Sequence, residues 1–218
     1  SQSVLIGAPT GSGKTVLAEL AMWHSLRTEP QKKIVYVAPL KALVKERLHD
    51  WRPRLLEALK LSVVELTGDY APDQSVLAKA NLILTTPEKW DNVSRNMQSK
   101  SFVNQVGLVI CDEIHLLGGD RGHVLEMIVS RMRRIGTGQC RFVGLSTAMA
   151  NAVDLSIWLS GSGSKTNFSC FNFRPSVRPV PLQVFLEGYA DLHYCPRMAS
   201  MNKPLYTHIL TLSPDRPV

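Results

Sequence analysis

Eight residues near the amino terminus carry the most legible chemistry in this 218-residue chain: Ala8-Pro9-Thr10-Gly11-Ser12-Gly13-Lys14-Thr15. Glycines at this spacing let successive backbone N–H groups curl around an anion with no Cβ in the way. Lys14 adds an ammonium suited to the outer phosphates of a nucleoside triphosphate, and Thr15 adds a hydroxyl suited to Mg²⁺. The apolar run Val4-Leu5-Ile6 precedes the loop and the amphipathic stretch Val16–Met22 follows it. The loop therefore joins a strand to a helix whose unpaired amides and dipole favour the same anion. The strict pattern has Gly where Ala8 stands, but a small residue suffices there. Spacing and context set this segment apart from a glycine-rich turn that binds nothing.

A phosphate loop leaves many chemistries open, and a second constellation narrows them. Val106-Gly107-Leu108-Val109-Ile110-Cys111 ends in Asp112-Glu113-Ile114-His115. A continuous apolar run closed by two carboxylates reads as a buried parallel strand that delivers acids at its carboxyl end, where ligands of open α/β sheets gather. Asp112 suits a water-bridged Mg²⁺, and Glu113 suits the orientation of a water for in-line attack on a γ-phosphate. Taken alone, the pair would be a solvated strand end or a helix cap. Beside the phosphate loop it points to a nucleoside triphosphatase.

The elements that must position these groups follow from the periodicity. Candidate strands are Val4–Gly7, Ile34–Ala38, Val63–Leu66, Leu82–Thr85, Leu108–Asp112 and Phe142–Ser146, with helices starting near Gly13, Lys41, Pro87, Val124 and Ala150. Leu40, Leu43, Val44 and Leu48 form one apolar stripe at helical spacing, and Leu125, Ile128, Val129 and Met132 another; both are expected in the core. Trp90 could stack on a base but is expected in the core as well. The alternation predicts an α/β fold, a doubly wound parallel sheet with right-handed crossovers. After Leu159 the texture changes: Ser160–Thr166 reads as a connector, and Val180–Leu186 as a strand among Pro175, Pro179 and Pro181. The change of texture sets residues 1–177, which carry both constellations, apart from residues 178–218.

Composition agrees without discriminating. Hydrophobic residues make up 44% of the chain and charged ones 20%, which describes an ordinary globule with ample core. A net charge of +7 suits an anionic partner. The basic side chains are scattered, and Lys32-Lys33, Lys41, Lys45, Arg47, Arg52, Arg54, Arg131, Arg133 and Arg134 each read singly as solvated surface. No apolar run is long enough to cross a membrane, and Ser1 opens no signal peptide. The four cysteines and six histidines show no metal-ligand spacing, and Cys111 sits inside an apolar strand, so a reduced intracellular chain is expected.

With Asp112-Glu113-Ile114-His115 the chain resembles the DExH-box helicases of superfamily two. Pro39-Leu40-Lys41-Ala42-Leu43 resembles that family's first nucleic-acid contact motif, and Leu66-Thr67-Gly68-Asp69 and Thr85-Thr86-Pro87-Glu88-Lys89-Trp90 resemble the next two. Ser146-Thr147-Ala148 stands where the family carries Ser-Ala-Thr, with the last two residues transposed. The strings Leu116–Glu126, Phe171–Leu182 and Tyr194–Pro204 are similar to the two-cassette, superkiller-type branch: first to its cointegrator-complex members (second cassette), and next to its spliceosomal snRNA-unwinding members.

The resemblance implies roles residue by residue. Lys14, Asp112, Glu113 and His115 would serve hydrolysis of ATP, held by Ala8 through Thr15, with Thr15 and Asp112 on Mg²⁺. Pro39, Lys41, Gly68, Thr86, Pro87 and Lys89 would hold a single strand of DNA or RNA, while Ser146 and Thr147 would couple the two. At Lys41 and Lys89 the residues support this independently. Each follows a strand, so helix-start amides and an ammonium can take one backbone phosphate without reading bases. A capped helix start with no ligand is the plainer alternative at both turns. The resemblance further implies a RecA-like fold for the ATP-binding domain over residues 1–177, a linker and the truncated beginning of a second RecA-like domain over 178–218 that supplies arginines in cis, 3′-to-5′ translocation, membership of a multiprotein complex and no membrane. It also implies a nuclear and cytosolic setting in DNA alkylation repair or ribosome rescue, the alternatives being a spliceosomal RNA cassette and a non-catalytic protein-binding cassette. Taken alone, the 218 residues are expected to bind nucleotide weakly and hydrolyse it hardly at all. A GTPase is the competing enzyme class, because Glu88-Lys89-Trp90-Asp91 superficially resembles a guanine-reading segment, although its first residue differs and it precedes the acid strand.

Overall fold

The computed structural model describes residues 2–57, 59–68, 72–96, 100–135, 140–161 and 169–212. They divide into two compact units, Ser1–Val180 and Pro181–Val218. The first contains β1 (Val4–Gly7), α1 (Lys14–Thr28), β2 (Lys33–Val37), α2 (Lys41–Trp51), β3 (Val63–Leu66), α3 (Gln74–Lys79), β4 (Leu82–Thr85) and α4 (Pro87–Arg95). It continues with α5 (Lys100–Val103), β5 (Val106–Cys111), α6 (Gly122–Arg134), β6 (Arg141–Ser146), α7 (Ala152–Ser160) and β7 (Ser169–Asn172).

All seven strands run parallel in the order β3-β4-β2-β5-β6-β1-β7. The α/β doubly wound sheet expected from the alternation is present. Its central strands are buried on both faces, which explains why they read as unbroken apolar runs. Side-chain alternation splits them between two cores. On one face Val35, Val37, Ile83, Val109 and Cys111 pack with Trp90 of α4 and with Leu125, Ile128, Val129 and Met132 of α6. On the other, Ile34, Tyr36, Leu84, Leu108, Ile110 and Leu145 pack with Ala18 and Met22 of α1 and with Val44 and Trp51 of α2.

Several expectations need correction. Leu40 precedes α2 and is 55% exposed, so the α2 stripe rests on Val44, with Leu43 and Leu48 half-buried. Lys33 is buried, its Nζ donating to Ala78 O (2.6 Å) and Ala80 O (2.8 Å), and Arg131 is pinned to Asp91 at 2.7 Å; neither is solvated surface. β7 joins the sheet edge beside β1 although its four residues give no periodic signal. No strand forms over Val180–Leu186. Pro181 lies within the segment and has no N–H to donate, which removes one ladder bond and disfavours a regular strand there.

The second unit contains one long helix, α8 (Tyr194–Leu212), with Pro204 inside it. His208 Nε2 lies 2.8 Å from Glu187 Oε1, which ties the helix to the extended segment before it. Of the connector at 160–166, Ser160 closes α7 and Gly161 caps it in the left-handed region (φ 66°), while the remainder lies outside the described residues.

Candidate functional site

Strand order explains how distant motifs meet. The loop 8–15 leaves the carboxyl end of β1, Asp112 leaves that of β5, and β6 lies between them. Two inter-strand spacings separate the two clusters, about 10 Å. Ala8 N donates to Ser146 O (2.9 Å), fixing the start of the loop to the end of β6, and Asp112 N donates to Val37 O (2.9 Å). One cleft of about 410 Å³ is lined by Thr10, Gly11, Gly13, Lys14, Thr15, Leu43, Arg47, Asp112 and Glu113. The two constellations singled out in the sequence thus face each other.

Within that cleft the loop holds itself ready for an anion. Gly11 and Gly13 adopt φ of 81° and 87°, a left-handed geometry that other residues enter only with strain. Lys14 Nζ donates to Ala8 O (2.8 Å) and Pro9 O (3.2 Å), and Ser12 Oγ donates to Pro9 O (2.6 Å). The donor set suits a triphosphate with a hard divalent cation: loop amides, an ammonium, the Thr15 hydroxyl and the Asp112 carboxylate, with no thiol or imidazole lining the cleft. Among the described residues no three His, Cys, Asp or Glu side chains converge as metal ligands. A cation here would depend on phosphate oxygens and waters for its remaining ligands.

The acids are positioned from the opposite core. Asp112 accepts hydrogen bonds from Tyr36 Oη and from Glu113 N (3.0 Å). Tyr36 is fully buried; desolvation and the neighbouring carboxylate raise its phenol well above the ordinary value and keep it a donor. Glu113 adopts φ 51°, left-handed backbone at a non-glycine residue, which turns the chain sharply after β5. Glu113 Oε2 is buried and has no hydrogen bond, although it lies 3.3 Å from His115 Nδ1. The same Nδ1 lies 3.3 Å from Ser146 Oγ. His115 therefore stands between the acid pair and the end of β6. Thr147 is half-buried just beyond it.

The other half of the sheet edge forms a second cleft. Pro39 and Lys41 follow β2, Gly68 follows β3, and Thr86 and Lys89 follow β4; all five line it, together with Leu40, Glu88, Asn92 and Arg121. Lys41 lies across Gly68, where an added Cβ would fall 3.0 Å from Nζ, so glycine leaves room for the ammonium. Pro87 stands at the first turn of α4 and lines an adjoining apolar pocket that reaches Asp112 and Glu113. Asp69, the last residue of the Leu66–Asp69 motif, lies outside the described residues. The guanine-reader comparison does not hold: Trp90 is fully buried, and Asp91 is engaged by Arg95 and Arg131.

A seven-stranded parallel sheet with a phosphate loop, an acid pair and a cation-lined cleft along one edge defines a RecA-like nucleotide-binding domain. The family model "DEAD/DEAH box helicase" matches residues 1–155, and the chain belongs to that family. It is 57% identical over 219 aligned residues to "Activating signal cointegrator 1 complex subunit 3" of Danio rerio, covering 99% of this chain and 14% of that protein. Against the Homo sapiens protein of the same name the figures are 57%, 99% and 10%. "DExH-box ATP-dependent RNA helicase DExH14" of Arabidopsis thaliana is 58% identical, covering 99% and 10%. These relatives bear out the superkiller-type, cointegrator-branch resemblance, and the chain spans 10% to 14% of their length. A crystal structure of the DUF1998 helicase MrfA bound to DNA superimposes with a TM-score of 0.64 at 21% identity, covering 78% of this chain and 24% of that one, which shows the shared fold.

Sequence reasoning missed Tyr36 and Arg47. Tyr36 carried a usable signal, being the one hydroxyl in the apolar run Lys33–Val37. Arg47 carried none, since its neighbours Glu46 and Asp50 suggest only a solvated helix surface.

Proposed function

We propose that this chain is the first motor domain of an ATP-dependent nucleic-acid helicase. The observation that carries this is the division of one sheet edge: Lys14, Thr15, Asp112 and Glu113 share a cleft, and Lys41, Gly68 and Lys89 share the next. Names among its relatives support both halves, one being an RNA helicase and the others subunits of a complex.

Loop amides and Lys14 bind the phosphate chain, and Thr15 with Asp112 hold the cation, for which Mg²⁺ is the hard ion of suitable size. When bound, the metal–triphosphate complex supplies the phosphoanhydride to be cleaved and the charge that the cleft neutralises. The Glu113 carboxylate lines the cleft and is the acceptor placed to orient a water there, while its buried Oε2 is turned toward His115. His115 Nδ1 lies 3.3 Å from both Glu113 Oε2 and Ser146 Oγ, and one nitrogen with a single proton or lone pair satisfies one of them at a time. That alternation would pass the state of the acid pair to β6, with Thr147 following. Opening and closing against a second RecA-like domain, which contributes arginines, would move the strand past Lys41 and Lys89 in the 3′-to-5′ direction. Backbone-only contacts favour weak sequence selectivity and strong salt dependence. The relatives' names support a place in a multiprotein complex, and we assign the protein to nuclear and cytosolic DNA alkylation repair or ribosome rescue.

The deciding experiment is strand-stimulated ATPase and unwinding by the full-length protein on matched DNA and RNA duplexes with 3′ or 5′ overhangs. Stimulated turnover with unwinding from 3′ overhangs is expected. ATP binding with no strand stimulation on either polymer would refute the motor assignment.

A further inference from the structure

Arg47 lines the triphosphate cleft beside Lys14, Thr15, Asp112 and Glu113, yet the roles described above leave it without a task. Its side chain is 18% exposed, unusually low for a helix-surface arginine flanked by two acids. Those acids, Glu46 and Asp50, stand on the solvent side with 58% and 47% exposure; Arg47 Nη2 donates to Glu46 Oε1, and the Asp50 contact is long at 3.9 Å. Surface pairs of this kind contribute little and are readily exchanged. A phosphate in the cleft would offer the guanidinium a bidentate, charge-assisted partner that surface carboxylates do not match.

The helix that carries Arg47 begins in the other cleft. Lys41 is the first residue of α2 and lines the strand cleft, while Arg47 stands six residues further on, about 9 Å along the axis. α2 is anchored as one rigid body. Trp51 at its end is fully buried, donates Nε1–H to Glu19 of α1 (2.9 Å), and packs edge-on against Tyr36 at 5.0 Å. Tyr36 in turn donates to Asp112. Arg54, just past α2, closes the chain of contacts by pairing with Glu19 at 2.5 Å and with Asp50 at 3.8 Å. Lys41 and Arg47 thus ride on one helix, and a displacement at Lys41 that α2 carries along its axis would reposition Arg47 within the triphosphate cleft.

We propose that Arg47 binds the terminal phosphate of the nucleotide, and that α2 transmits strand occupancy at Lys41 to it. The proposal rests on the function assigned above and adds a triphosphate-discriminating contact within this domain.

The test measures equilibrium binding by the full-length protein of a fluorescent non-hydrolysable ATP analogue and of fluorescent ADP, each with and without an oligouridine strand. Wild type should bind the triphosphate analogue more tightly when the strand is present and ADP equally in both states. Arg47→Ala should weaken the triphosphate about tenfold, the size expected for a lost charge-assisted contact, leave ADP within about twofold, and abolish the strand-induced tightening. Arg47→Lys, which keeps charge without the fork, should fall between. Equal loss for both nucleotides, or loss for neither, would overturn the proposal. If thermal unfolding shows that Arg47→Ala is misfolded, Arg47→Met, which retains the packing stem, decides on the same criteria. A wild type that binds triphosphate and is insensitive at Arg47 removes this inference alone, whereas a wild type with no phosphate-loop-dependent binding (unchanged by Lys14→Ala) removes the functional assignment beneath it.

Discussion

The carboxyl ends of β5, β6 and β1 hold their functional groups inside a network, whereas those of β3, β4 and β2 present theirs on turns. On the triphosphate side, Asp112 is fixed by a buried tyrosine, Ser146 is fully buried, and the loop is tied to β6 through Ala8. On the strand side, Lys41 begins α2 and Lys89 lies in the first turn of α4, and Leu40 and Arg121 stand well exposed. Hydrolysis needs a few atoms held within fractions of an ångström, so its groups are clamped by hydrogen bonds. Gripping a repeating backbone needs spaced charge and free amides, and helix starts supply these without a rigid cage.

Perturbing the two halves should give effects of very different size. Glu113→Gln or Lys14→Ala in the full-length protein should lower strand-stimulated ATPase by about a thousandfold or more while sparing strand affinity in the absence of nucleotide. Steady-state hydrolysis and fluorescence anisotropy check the two parts, and normal turnover in either variant would break the comparison. Ser146→Ala should leave ATP turnover within about fivefold yet depress unwinding at least tenfold, because it removes one of the two partners of His115 Nδ1 and leaves the acids in place. Lys41→Ala should weaken strand binding by a factor of roughly three to ten and reduce the slope of log affinity against log salt by about one, as expected for one lost phosphate contact. An unchanged slope would remove Lys41 from the track. The smallest effect belongs to Tyr36→Phe: losing one hydrogen bond to Asp112 should raise the Mg²⁺ concentration for half-maximal ATPase about twofold to threefold. No change in that midpoint would show that the buried hydroxyl does not orient the acid.

How much of this was legible depends on where each signal resides. Both triphosphate motifs were readable because each occupies a strand end, where an apolar run gives way to charged residues of fixed spacing. The two β-strands beside α2 and α4 were readable for the same reason. β7 was not: a four-residue edge strand acquires its identity by pairing with β1, a partner more than 160 positions earlier in the sequence. Val180–Leu186 erred the other way, since β-branched composition suggests a strand but says nothing about whether a partner exists to accept its hydrogen bonds. Lys33 and Arg131 looked like surface charges because a single position does not reveal the carbonyls or the carboxylate that will meet it. Arg47 shows this most sharply, because its local partners are acids on its own helix and its placement in the cleft follows from how α2 packs.

The order of residues alone determined the chemical inventory: a loop able to cradle an anion, paired carboxylates after a buried strand, and lysines at two helix starts. These depend on local periodicity and residue type, and such properties are written along the chain. Only the tertiary structure decided which of them act together. Placing β6 between β1 and β5 brings residues about a hundred positions apart to one cleft, and packing Trp51 against Tyr36 brings α2 into register with the acids. Strand order and helix packing minimise the free energy of the whole core, so no short window of sequence contains them.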